Sequence, residues 1–211
     1  MSIVVRSLYD NQLDLLDGIV RLHAPDGFDC DLTYGNGAFW KRIPAPRLKY
    51  DIDPQSNDVE RASSTSIDHP EASLGNTIFD PPFLTYVRAG RGGNGSMIMS
   101  KRFGGYWRYD ELEDHYKKTL AEAGRVMKDG AALVFKCQDI VHNHRLQPTH
   151  INVVAWAAEW FRLKDMFILG ASHRLPSPNR AGSQKHSRIY HSYFLVLERL
   201  PRVKKRKLQA K

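Results

Sequence analysis

The short apolar run Thr77-Ile78-Phe79 ends abruptly in Asp80-Pro81-Pro82-Phe83. The run is composed like a buried strand, and two consecutive prolines, which offer no ladder donor, must stop it. Asp80 is therefore expected at the carboxyl end of a strand, the position from which open α/β sheets bind their ligands. A carboxylate beside a proline-fixed carbonyl can accept both hydrogens of one amino group, and the Phe83 ring offers a flat face to a planar base. The exocyclic amine of a nucleobase is a poor nucleophile because its lone pair is conjugated into the ring. Accepting both of its hydrogens helps to free that pair for attack on an electrophilic methyl group.

This tetrapeptide resembles the D-P-P-[YFW] motif of the amino-group DNA methyltransferases, which carry a methyl group from S-adenosylmethionine to adenine N6 or cytosine N4. A second segment carries the same resemblance. Asp31-Leu32-Thr33-Tyr34-Gly35-Asn36-Gly37 is similar to the D-x-F-x-G-x-G cofactor loop, with Thr33 where an aromatic residue is common and Tyr34 beside it. The dinucleotide fingerprint G-x-G-x-x-G fails here, because Trp40 fills the place of its third glycine. The resemblance implies catalytic roles for Asp80, Pro81, Pro82 and Phe83 and cofactor contacts at Asp31, Thr33, Tyr34, Gly35 and Gly37. It also places Asp68 near the cofactor's adenine if Ser64–Asp68 forms a small strand; a turn-capping Asp68 is the other reading.

Asp51 lies 20 residues beyond Asp31, at the tip of a second short strand over Leu48–Pro54. An acid there is the general ribose-binding device of such sheets, with Asp53 as the second choice. The run Ala131–Cys137 reads as a buried parallel strand, and with its flanks it looks like the strand that follows the catalytic motif in these methylases. Lys136 in this strand and Asp139 just after it either face the site or serve as a surface lysine and a helix-capping acid.

The remaining elements read in order. Helical spacing covers Leu8–Leu22 after the cap Asp10, a strand spans Phe28–Thr33, and a helix spans Asp110–Met127. Residues 143–149 form a polar loop, His150 opens another helix, and two β runs at 165–169 and 191–197 form a terminal antiparallel pair. Together these elements predict an α/β, Rossmann-like sheet of seven strands, which the resemblance implies is that of a class I methyltransferase. It is mostly parallel with one antiparallel edge hairpin and helices on both faces, and it forms one domain over residues 1–198. Asp31 and Asp80 are 49 positions apart, which leaves no room for a recognition domain between the two motifs.

Charge points to the partner. The chain carries a net +8, and residues 199–211 hold seven basic side chains and no acid, a tail expected to be disordered. Residues 84–109 contain five basic side chains, six glycines and no acid. Arg88, Arg91, Lys101 and Arg102 are expected to meet phosphates, and Tyr106 and Trp107 to stack on bases, in a mobile substrate loop. A second basic loop spans 170–185. The reading is an enzyme that holds duplex DNA, flips an adenine and methylates its N6. Cytosine-N4, RNA or protein-glutamine methylation, or nucleic-acid binding without turnover, are the alternatives. Two lone cysteines, Cys30 and Cys137, and no cysteine or acid set at ligand spacing argue against a metal. No secretory leader or membrane-spanning run is present, so a cytoplasmic location is expected.

Overall fold

The computed structural model describes residues 4–85, 105–106, 108–171 and 185–202. Eight strands form one sheet: β1 (Leu8–Tyr9), β2 (Cys30–Asp31), β3 (Leu48–Asp51), β4 (Glu60–Arg61), β5 (Thr77–Phe79), β6 (Ala132–Cys137), β9 (Phe161–Gly170) and β10 (His191–Arg199). Their order is β1-β9-β10-β6-β5-β2-β3-β4. β10 runs antiparallel to both of its neighbours, and every other pairing is parallel. The expected layout holds, with one strand more than seven: Leu8–Tyr9 does not open the first helix but pairs with the outer edge of β9. The terminal hairpin is therefore covered on that side.

Among the described residues, three α-helices flank the sheet. α1 (Gln12–His23) starts at Asn11, whose side chain accepts from the backbone N–H groups of Leu13 and Asp14, so Asn11 and not Asp10 is the cap. α2 spans Tyr109–Val126 and α3 spans Thr149–Ala157. Strand alternation divides the core between two faces. Ile78, Val134, Phe194 and Val196 pack with α1, while Phe79, Leu133, Phe135 and Leu195 pack with α2 and α3.

Two local expectations are corrected. The small third strand is Glu60–Arg61, not Ser64–Asp68; Ser63 and Ser66 instead close a turn. The polar loop after β6 is a hairpin of its own, β7 (Ile140–His142) and β8 (Arg145–Gln147), turned by Asn143 and His144 at positive φ. None of the described helices is long and apolar enough to cross a membrane.

Candidate active site on the carboxyl rim

β2, β3, β5 and β6 are parallel, so their carboxyl ends share one rim. From β2 the chain moves outward to β3 and β4, then returns to the other side of β2 as β5. The sheet's switch point therefore lies between β2 and β5, flanked by Asp31 and Asp80.

The two strand ends are stitched together. Leu32 donates its N–H to the Ile78 carbonyl at 3.0 Å, and Asp80 donates its N–H to the Thr33 hydroxyl at 2.8 Å. The residue that departs from the aromatic pattern of the cofactor loop thus ties that loop to the DPPF turn. Asp31 is almost fully buried and organises the rest of the loop: one carboxylate oxygen accepts from Thr33 N–H at 2.9 Å and the other from Trp40 Nε1 at 2.9 Å. Gly35 and Gly37 adopt φ of 55° and 71°, a region that side chains rarely enter. A Cβ on Gly37 would press on the Tyr34 ring, whereas one on Gly35 would meet nothing closer than 3.9 Å. The loop backbone is thus open to close approach at Gly35.

Asp51 completes this side of the rim. Its carboxylate accepts Gly35 N–H and Asp53 N–H, each at 2.8 Å, which aims it at the glycine loop. Asp53 is instead turned to solvent and paired with Arg61. Ile52, 71 % exposed, offers an apolar face beside Asp51 that the sequence reading did not single out.

Asp80 is partly exposed and pairs with Lys136, Nζ to Oδ2, at 3.1 Å. Of the two readings of Lys136 and Asp139, each residue takes a different one. Lys136 faces the site. Asp139 caps α3, accepting from His150 N–H at 3.2 Å and bonding His150 Nδ1 at 2.7 Å. Beneath the turn, Tyr116 donates its hydroxyl to the Pro82 carbonyl at 2.9 Å, so α2 holds the second proline of the motif. Phe83 stays partly exposed on the rim.

Asp68 is not brought to this rim. It is exposed beside the last turn of α2, where Arg125 donates to the carbonyls of Ile67 and His69 on either side of it. Tyr106 is also placed otherwise than expected. Its N–H donates to the Leu84 carbonyl, its hydroxyl bonds His115 Nδ1, and its ring packs on the core. That makes it an internal anchor rather than a stacking platform. Arg88, Arg91, Lys101, Arg102 and Trp107 lie outside the described residues, as do 172–184 and 203–211. The start of the tail expected to be disordered from 199 is instead ordered, with Arg199 buried at the end of β10 and Arg202 donating to the carbonyls at the end of α2. Two surface hollows, one around Tyr9 and Arg21 and one around Phe28 and Arg47, include no residue of the rim. Among the described residues no group of His, Cys, Asp or Glu is placed to hold a metal.

No protein family and no curated protein matches the sequence. The fold is similar to several solved structures. One, from Thermus thermophilus, is provisionally described as a DNA modification methylase and is complexed with S-adenosyl-L-methionine; it is 20 % identical over 65 % of this chain and 52 % of its own, with a TM-score of 0.42. The N-methyltransferase NodS of Bradyrhizobium japonicum is 12 % identical over 88 % of this chain and 94 % of its own, with a TM-score of 0.49. A protein of Streptococcus thermophilus provisionally described as a hemolysin is 14 % identical over 90 % of this chain and 66 % of its own, with a TM-score of 0.50. The chain spans about half the length of the Thermus protein. At these identities the likeness concerns the fold.

The rim has an electrostatic signature. Asp31, Asp51 and Asp80 stand close enough that the charges of the latter two add to the effect of burial on Asp31, which pushes its carboxyl from 3.8 up to about 7 against the hydrogen bonds from Thr33 and Trp40. The folded protein therefore holds a proton on Asp31 more tightly than the unfolded chain does. The linked stabilisation is complete below about pH 4 and is lost as pH rises through about 7. Urea midpoints measured at about pH 5 and about pH 8 should fall further for the wild type than for Asp31→Asn. His115, pushed down by burial, titrates with the opposite sign but is common to both proteins. Equal falls would remove Asp31 as the source.

Proposed function

We propose that this chain is an S-adenosylmethionine-dependent methyltransferase acting on the exocyclic amino group of a nucleobase in DNA, adenine N6 before cytosine N4. The observation that carries this reading is the convergence at one switch point of a glycine loop at positive φ, the strand-tip acid Asp51 and the Asp80 turn. Asp51 and Asp80, joined by Asp31 as it ionises above about pH 7, also make the rim suited to a cationic ligand.

The chain's groups fit the cofactor. Asp51 has lone pairs left for two ribose hydroxyls, Ile52 offers an apolar surface to a base, and the backbone at Gly35 can approach a ligand closely. Thr33, Tyr34 and Gly37 shape that loop, and Asp31 fixes it through two hydrogen bonds. S-adenosylmethionine, when bound, supplies a methyl group made electrophilic by its sulfonium. Asp80 and the Pro81 carbonyl would accept the two hydrogens of the target amine, while Phe83 supports the ring. The Pro82 carbonyl is already engaged by Tyr116. DNA is favoured by the net charge of +8 and by Arg88, Arg91, Lys101, Arg102 and Trp107, basic and aromatic residues suited to phosphates and bases.

Nucleoside mass spectrometry after incubation with S-adenosylmethionine and unmethylated duplex DNA tests this. N6-methyladenine is the expected product. 4-Methylcytosine would keep the amine chemistry and overturn the choice of base. Methylation of RNA alone would overturn DNA as the substrate, and no methylated base in either polymer would overturn the nucleic-acid reading.

A further inference from the structure

Lys136 lies within an apolar strand, yet its ammonium is held from four sides. Nζ lies 3.1 Å from Asp80 Oδ2 at the end of β5 and 3.3 Å from Gln12 Oε1 in the first turn of α1. It also sits 5.0 Å from the ring centre of Phe39, in the 3₁₀ turn Ala38–Lys41, and 5.4 Å from that of Phe194 on β10. Its side chain is only 12 % exposed. An ammonium taken this far from water is costly unless paired with an anion, and Asp80 is the carboxylate it pairs with.

We propose that Lys136 is a positioning residue: it clamps one oxygen of Asp80, leaves the other for the acceptor amine, and keeps the carboxylate an acceptor of hydrogen bonds. The proposal rests on the amino-group methylation reading. Its chemistry follows from the lone pairs of a carboxylate, which number about four, so that one Lys and one amine N–H can be served at the same time. The clamp also fixes direction. With Thr33 holding the Asp80 N–H and Lys136 holding Oδ2, backbone and side chain are both restrained before a substrate arrives.

Among the described residues, β6 presents Lys136 to Asp80, β2 presents Asp31 and α2 presents Tyr116, while the uncharged Gln12 of α1, Phe39 of the 3₁₀ turn and Phe194 of β10 face the Lys136 ammonium. Burial pushes the Asp80 carboxyl up, and the charge and hydrogen bond of Lys136 pull it back. Removing Lys136 therefore lets Asp80 hold its proton to higher pH.

Lys136→Met keeps an unbranched stem among the aromatic rings but removes the charge, and Lys136→Arg keeps the charge. The first readout needs neither cofactor nor turnover: carbon NMR titration of aspartate carboxyls in the free protein, with Asp80 assigned through Asp80→Asn. The Asp80 carboxyl should titrate at higher pH in Lys136→Met than in the wild type, and Lys136→Arg should stay near the wild type. In turnover, Lys136→Met should lower kcat by about 10²-fold, move the acid limb of the pH profile upward and leave S-adenosylmethionine affinity within about twofold. Lys136→Arg should recover part of the rate. An unchanged Asp80 titration in Lys136→Met overturns the proposal. So does weaker cofactor binding at unchanged kcat, which would make Lys136 a ligand of the cofactor's carboxylate. Should Lys136→Met fail to fold, Lys136→Gln gives the same two readouts. If the wild type methylates no nucleic acid, the functional reading fails, while the titration still decides whether Lys136 governs Asp80.

Discussion

Asp80→Ala should lower kcat for methyl transfer by about 10³-fold and change S-adenosylmethionine affinity by no more than a few-fold. The asymmetry follows from where the side chain points. Glycine-loop contacts run through Asp31, Thr33 and Asp51, and the Asp80 backbone N–H that meets Thr33 survives the substitution. What is lost is the carboxylate that would take an amine hydrogen, an interaction needed most as the nitrogen's lone pair is released to react. The change also strands Lys136, whose other partners among the described residues are one amide oxygen and two ring faces. Asp80→Asn should be milder, about 10²-fold, since one oxygen remains but its amide N–H₂ must face either Lys136 or the amine. Single-turnover rates with calorimetric cofactor binding separate these effects. An alanine variant within tenfold of the wild type would remove Asp80 from the chemistry.

The parts of the site readable from sequence are those set by neighbours along the chain. Two prolines after Phe79 dictate where β5 stops, and paired glycines after Asp31 dictate where the backbone reverses, so Asp80, Gly35 and Gly37 could be placed on one rim without coordinates. Asp51 was legible for the same reason, as the acid at a strand tip. The failures come from partners distant in sequence or from elements too short to carry a period. Glu60–Arg61 is a two-residue strand of exposed charged side chains, which no alternation can announce, and with it went the placement of Asp68. The β7–β8 turn requires positive φ at His144, a residue that does not advertise it. Tyr106 sits in a basic, glycine-rich segment that suggests ligand stacking, and it is drawn inward by His115 and Tyr116 of the next helix and by the Leu84 carbonyl. For Lys136 the sequence leaves open a surface lysine and one facing the site, and Asp80, 56 positions away, supplies the counter-charge that decides between them.

Phe135→Ala should cost about 4 kcal/mol of stability, the largest effect expected of any core substitution under the site. Phe135 is fully buried and directly opposite Phe79 in the β5–β6 register, with ring centres 5.0 Å apart and near perpendicular. Tyr116 closes the group at 5.1 Å from Phe135. Three rings from two strands and a helix thus fill the space directly below the DPPF turn, and edge-to-face pairs add to what burial alone provides. Alanine leaves a cavity that the flanking strands cannot close without moving Phe79, the residue immediately before Asp80. The melting temperature should fall by about 10 °C, and kcat of the fraction still folded should fall as well, because the end of β5 loses its support. Tyr116→Phe provides the contrast: it keeps the ring and removes only the hydrogen bond to the Pro82 carbonyl, for a loss of about 1 kcal/mol. Thermal unfolding of both variants measures the gap. Similar losses in the two would mean that the hydroxyl, rather than the packed rings, holds the turn, and the site would then owe its shape to α2 more than to the sheet.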